Sequence, residues 1–89
     1  MPVQRLPAGR LDEELTRVED RRDPPVPITA WLLLDGAEWP GLLYGWAPNP
    51  RGADDGLRGL VVLEREYAPG FVAESLHWVP AENVRRRAG

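Results

Sequence analysis

From residue 28 onwards the chain alternates between short hydrophobic runs and polar turn signals, a pattern typical of β-structure. The run at residues 28–34 is apolar with β-branched and aromatic members, and the Asp35-Gly36 pair behind it favours a two-residue hairpin turn. A second run, residues 38–47, is interrupted by Pro40-Gly41, a pair that marks a bulge or an edge position within a strand. The pattern therefore predicts a hairpin whose second strand is strongly bent.

Two more strands are predicted beyond a polar, turn-rich loop at residues 48–56. In the run 57–66, Val61 and Leu63 fall on one face of a strand and charged side chains fall on the other, so one face is expected to be buried. Residues 67–70 have the Pro-Gly order of a type II turn. The run 71–79 is then expected to form the fourth strand.

The first 27 residues are expected to form a separate segment that ends in a proline-rich linker. Three prolines between residues 24 and 27 cannot continue a helix and favour a stiff, extended connection. Before them, residues 9–22 are predicted to be helical, with Leu11, Leu15 and Val18 on one stripe. Because so short a helix is marginal in isolation, three outcomes stay open: it docks on the strands, binds a partner or stays partly unfolded.

The end of the chain carries a short motif. Residues 80–83 predict one helical turn and residues 84–86 a fifth strand, and Pro80, Asn83 and Val84 match the Pro, Asn and Val of the Pro-Ser-Asn-Tyr-Val motif that closes SH3 domains. With the hairpin and the bent strands, this ending resembles an SH3-like barrel, in which the chain enters its last strand through a single 3₁₀ turn. The resemblance implies a mostly β fold: a five-stranded bent barrel over residues 28–89, preceded by a short N-terminal α-helix and linker in residues 1–27.

Two weaker resemblances add to this interpretation. The triplet Trp39-Pro40-Gly41 is similar to the opening of the second strand in Tudor-type barrels, where aromatic side chains cage a methylated cation. The pattern as a whole is similar to that of small proteins from GC-rich actinobacteria, and all eleven basic residues are arginine, as a GC-rich genome favours. This last similarity implies no activity.

Composition narrows the classes of function. A chain of 89 residues is expected to be one domain, which is small for an elaborate active site. The absence of cysteine is compatible with a reducing interior, so we expect a cytoplasmic protein, and no run is long and apolar enough to be a membrane span or a signal peptide. A formal charge of −3 opposes binding to phosphate backbones, and the one dense basic cluster is Arg85-Arg86-Arg87.

The aromatic side chains are the best candidates for recognition, although each is also a candidate for core packing. Trp46 and Tyr44 are preferred because a period of two places both on one face of the second strand, beside the flexible loop. Asp54 and Asp55 in that loop would add charge at the rim of this surface, and Trp39 is a further candidate. Trp78 is expected in the core.

Catalysis has little support in the sequence. Ser75 and His77 lie two residues apart on one strand face, but no orienting acid or nucleophile-elbow motif accompanies them. No spacing indicates a metal or cofactor site, because a single histidine and scattered carboxylates lack a ligand pattern. We therefore expect a non-enzymatic module that binds a partner protein or peptide. Two alternatives stay open: a nucleic-acid or nucleoprotein accessory using Arg85, Arg86 and Arg87, and a subunit that self-associates through the helix stripe.

Overall fold

The structure is a computed structural model that describes residues 9–19, 25–50, 52 and 56–87, together with the backbone of residues 4–6. Within these ranges six strands form one sheet in the order β1-β5-β4-β3-β2-β6. The elements are β1 (Gln4–Leu6), α1 (Leu11–Leu15), β2 (Ile28–Leu34), β3 (Ala37–Pro48), β4 (Leu57–Ala68), β5 (Phe71–Pro80), a 3₁₀ turn (Ala81–Asn83) and β6 (Val84–Arg86).

The strands predicted from residue 28 onwards are confirmed, and each begins and ends within about two residues of its expected position. All neighbouring pairs among β2 to β6 are antiparallel, and Asp35 and Gly36 form the turn between β2 and β3 with positive φ angles. The sheet is open in the described residues, since β1 and β6 are its two edges. The parallel pairing of β1 with β5 was not predicted.

The sheet is strongly curled. The 3₁₀ turn contacts both β2 and β4, which lie on either side of β3, and a flat sheet would not bring both strands within reach of one turn. This curl covers an inner face, whose buried core consists of Ala30, Leu32, Leu43, Val61, Leu63 and Val79. The opposite side, which we call the outer face, carries α1. There Leu15 and Val18 pack with Ala47, Leu60 and Trp78 in a second buried cluster. Of the three outcomes left open for the N-terminal segment, the structure shows docking on the sheet.

The predicted helix over residues 9–22 is too long. α1 is a helix of five residues, and the next three backbone bonds reach back only three residues, as in a 3₁₀ turn: from Thr16 N to Glu13 O, from Arg17 N to Glu14 O and from Val18 N to Leu15 O. Glu19 then donates its backbone N–H to the carbonyl of Trp46 at 2.9 Å and forms an isolated bridge with β3. Pairing with β3 therefore replaces helix continuation, and residues 20–22 of the prediction lie outside the described residues.

A β-bulge in β3 decides which side chains share a face. Leu43 is opposite Val61 and Gly45 is opposite Leu60, so Tyr44 is an extra residue in the ladder. As a result Leu43 and Trp46 belong to the inner cluster, whereas Tyr44 packs against the outer one. The prediction that Tyr44 and Trp46 share a face is wrong, because it assumed an uninterrupted period of two.

Candidate functional site

Trp46, the preferred candidate, is half-buried and packs against the inner core. The edge of its ring lies against Gly59: a Cβ atom added to that glycine would be 3.1 Å from Cζ3 of Trp46 and 2.8 Å from Cδ1 of Leu43. The edge of the ring therefore packs directly against the backbone of Gly59, so Trp46 contributes to the packing of the fold.

Trp39 lies at another part of the inner face and is also half-buried. The guanidinium of Arg65 lies 4.7 Å above the centre of its ring, in a cation–π geometry. One face of Trp39 is thus covered by a cation of the same chain. The expected similarity to a Tudor-type cage does not extend to an open ring at this position.

Tyr44 lies on the outer face, half-buried between the docked N-terminal segment and the sheet. Burial raises the pKa of its phenol above the ordinary value, and the negative charge of Glu74 raises it further. The phenol is therefore a neutral hydrogen-bonding group throughout the physiological pH range. Asp54 and Asp55, expected at the rim, lie outside the described residues.

A cavity of about 410 Å³, which we call the bulge cavity, opens where β2 begins. β2 starts at Ile28 opposite Leu43, so the part of β3 that follows Leu43 has no β2 partner, and the bridge from Glu19 to Trp46 crosses this edge further along. Tyr44 and Trp46 both line this cavity, although they lie on opposite faces of the sheet. The lining includes Leu15, Val18, Ile28, Tyr44, Trp46 and Arg86.

A second cavity of about 460 Å³, which we call the strand cavity, lies on the outer face along β3 and β4. Pro40 and Leu42 of β3 and Val62 of β4 contribute apolar side chains to its lining, and Leu11 of α1 borders it. Tyr44 lines both this cavity and the bulge cavity. The charged lining residues of the strand cavity are Glu64, Glu74 and Arg87. We refer to the two cavities with Tyr44 between them as the Tyr44 groove.

The predicted arginine cluster does not form one patch. Arg85 donates two hydrogen bonds to the carboxylate of Glu38, at 2.9 and 3.0 Å, and Arg87 lies 4.9 Å above the ring of Trp31. Arg86 lines the bulge cavity instead. Successive residues of a strand point to opposite faces, so this division follows from the placement of Arg85 and Arg86 in β6 and was predictable once that strand was assigned.

Ser75 and His77 are neighbours, as the strand pattern predicted: Ser75 Oγ lies 2.9 Å from His77 Nε2. The same hydroxyl also lies within hydrogen-bond distance of the carbonyl oxygen of Leu63, 3.3 Å away. A serine hydroxyl has a single proton, and the tautomer of the imidazole decides whether Oγ donates to Nε2 or accepts from it. Among the described residues no group of three or more His, Cys, Asp or Glu side chains could hold a metal ion.

An exposed aromatic pair was missed by the sequence reasoning. Tyr67 is 60% exposed and Phe71 is 44% exposed, and their rings stack at a tilt with centroids 6.1 Å apart beside the turn between β4 and β5. A second bulge, between Glu66 and Ala68, places Tyr67 outside the regular ladder. A bulge depends on how two strands pair, which the local sequence does not show. The sequence near this aromatic pair indicated only the turn at Pro69-Gly70.

The chain matches no protein-family model, no curated protein and no solved structure. None of the helices in the described part of the chain has the length and apolar character needed to cross a membrane.

Proposed function

We propose that this protein is a non-enzymatic interaction module that binds an extended segment of a partner protein in the Tyr44 groove. The observation that carries the proposal is that two cavities, each a few hundred cubic ångströms in volume, share Tyr44 as a common wall. Sites of this size accept one or two anchoring side chains of a ligand. A segment lying across Tyr44 would place one anchor in each cavity.

The lining of the groove has the composition of a protein-binding surface. Leu42 is 37% exposed and offers an apolar contact, while charged side chains stand at the border. Tyrosine is enriched in binding interfaces because it combines a large rigid apolar area with a hydrogen-bonding hydroxyl. The proposed site therefore differs from the sequence expectation in its members: Tyr44 stays central, Trp46 contributes at one end, and Trp39 lines neither cavity.

The same proposal includes an SH3-like barrel as the scaffold and the cytoplasm as the compartment. Supporting the scaffold, the chain passes through a single 3₁₀ turn into β6, and β6 pairs with β2, the first strand of the antiparallel set. The absence of cysteine supports a reducing compartment.

The two alternatives receive less support from the geometry. For nucleic-acid binding, Arg85 is neutralised by Glu38, and Arg86 and Arg87 are directed to different cavities. For self-association, Leu15 and Val18 of the helix stripe are already buried against the sheet of the same chain.

The test is affinity capture with the native chain, Leu42→Glu and Leu57→Glu. Leu57 is 48% exposed and lies outside both cavity linings, so it is a matched control for the added charge. A carboxylate at position 42 should abolish capture of the partner, and one at position 57 should not, with thermal unfolding confirming that both variants fold. If both variants capture the partner equally well, the Tyr44 groove is not the binding site. If nuclease treatment abolishes capture, the ligand is a nucleic acid.

A further inference from the structure

Both cavities of the Tyr44 groove have a wall that comes from residues 10–19, which we call the docked segment. The sheet supplies the opposite wall of each cavity. From the docked segment, the bulge cavity is lined by Leu15, Val18 and Glu19, and the strand cavity by Leu11. The groove therefore has its described shape only while the docked segment lies on the sheet.

The docked segment cannot hold this position through its own backbone. α1 has five residues, and a helix of that length is unstable in isolation. Beyond the helix, Glu19 donates its backbone N–H to the carbonyl of Trp46. The position of the segment therefore depends on its contacts with the sheet.

Glu14 supplies a polar contact of this kind. Nε1 of Trp78 in β5 donates a hydrogen bond to Oε2 of Glu14 at 2.8 Å, and Nε of Arg17 lies 3.4 Å from the same oxygen. Arg17 also donates from Nη1 to the carbonyl oxygen of Pro50 at 2.9 Å. The Glu14 side chain is 20% exposed and Trp78 is 8% exposed, so the bond between them is largely shielded from water. Removing the acceptor would leave the indole N–H unsatisfied, because water does not readily replace a partner there.

Building on the proposed function, we propose that Glu14 is a positioning residue for the Tyr44 groove. Its hydrogen bond from Trp78 keeps the docked segment on the sheet, and a partner in the groove contacts the segment and the sheet together. A ligand that binds one of two states shifts the population toward that state. Docking of the segment and binding of the partner therefore stabilise each other, and to the same extent.

Three variants test the role of Glu14 in the free protein. Glu14→Leu removes the acceptor, whereas Glu14→Gln keeps an amide oxygen that accepts the indole N–H, and both replacements are good helix formers. Glu13→Leu is the matched control, because the Glu13 side chain is 72% exposed on the same helix. Hydrogen exchange of the Glu19 amide, followed by NMR, should be about tenfold faster in Glu14→Leu and close to the native rate in the other two variants.

Two results in this series overturn the role of Glu14. One is a native exchange rate of the Glu19 amide in Glu14→Leu, which would show that the docked segment does not depend on the acceptor. The other is an equal acceleration in Glu13→Leu, which would show that the effect reflects the helix or the overall charge. Recovery in Glu14→Gln supports the hydrogen bond from Trp78 as the cause, because the glutamine has lost the charge and kept the acceptor.

Synthetic peptides of about seven residues measure the coupling between docking and binding. Each carries two apolar side chains separated by one or three serines, and the probe is the peptide that shifts the backbone amide signals of Leu42 and Tyr44 most. At about ten times its dissociation constant, this peptide should slow exchange of the Glu19 amide in the native chain by about tenfold, because it binds the docked state.

The peptide outcomes separate this inference from the proposed function. If the probe peptide shifts the Leu42 and Tyr44 signals and leaves the Glu19 exchange rate unchanged, docking and binding are not coupled, so the inference fails and the proposed function stands. If no peptide shifts these signals at millimolar concentration, the Tyr44 groove does not bind extended segments and both fail.

Discussion

Gly45→Ala is the substitution that most directly tests how the N-terminal segment docks. A Cβ atom at position 45 would lie 2.3 Å from Cγ1 of Val18, and the next atoms of that side chain are 3.5 and 3.6 Å away, which is ordinary contact. The conflict is therefore with one methyl group. To reach ordinary contact at 3.4 Å, that methyl must retreat by at least about 1.1 Å, which moves Val18 out of the outer cluster.

The expected cost follows from this geometry. Forcing an extra methyl into a packed site costs about 2 kcal/mol of folding free energy. Val18→Ala alone removes two buried methyl groups, at about 0.8 kcal/mol each, and costs about 1.5 kcal/mol. In the double variant the conflicting methyl is absent, so the steric part of the cost of Gly45→Ala should disappear, and only the backbone strain of an alanine at φ +159° should remain. The coupling between the two positions should then be about 2 kcal/mol.

Urea unfolding of the four proteins in this double-mutant cycle measures the coupling. Amide hydrogen exchange supplies a local readout, because the Glu19 N–H that bonds to Trp46 O at 2.9 Å should exchange faster in Gly45→Ala and recover its protection in the double variant. A Gly45→Ala variant that is as stable as the native protein, with additive costs in the cycle, would refute the docking of Val18 against Gly45. The reasoning on the bulge cavity beside them would then fall too.

Two further predictions concern the aromatic side chains of the groove. Trp46→Ala should lower the free energy of unfolding by about 2 kcal/mol, because the buried half of a large side chain is lost from the inner core. Trp46→Phe should retain most of that stability. An unchanged thermal midpoint for the alanine variant would show that the Trp46 ring does not contribute to the core. Spectrophotometric titration should find that the Tyr44 phenol ionises above its ordinary pKa, and Glu74→Gln should lower that pKa in part, since burial is the larger cause. Because the pKa of the Tyr44 phenol is higher in the folded state, this phenol stabilises the fold fully at pH values below its unfolded pKa of about 10. That stabilisation is lost as the pH rises through the folded-state pKa. A free energy of unfolding that does not change with pH above 10 would therefore contradict the burial of Tyr44.

The strands from residue 28 onwards could be read from the sequence because their signals are local. Asp35-Gly36 and Pro69-Gly70 are turn pairs whose backbone preferences act within a few residues, and the alternation in β4 reports one buried face. The burial of Trp78 also followed from its strand neighbours, and it is confirmed at 8% exposure.

What could not be predicted depends on contacts between distant parts of the chain. The bulge at Tyr44 arises from how β3 pairs with β4, and no neighbouring residue gives a sequence signal that predicts an extra residue in the strand. Helix α1 ends early because Glu19 finds a partner in β3, and β1 pairs with β5 across more than sixty residues of sequence. Tyr44 and Trp46, which the sequence favoured as recognition residues, both line the bulge cavity, but the shape of the groove could not be predicted, since it exists only where these non-local pairings meet.

The short strand β6 has a consequence for how copies of the protein behave toward one another. An edge strand offers unpaired backbone groups that can template pairing with a second chain, and proteins limit this hazard with short edges and charged side chains. β6 is three residues long, and Arg86 and Arg87 add positive charge at this edge beside the ion pair of Arg85 with Glu38. Two copies approaching edge to edge would bring these like charges together. The arginine run therefore works against edge-to-edge aggregation, a purpose that requires no nucleic acid.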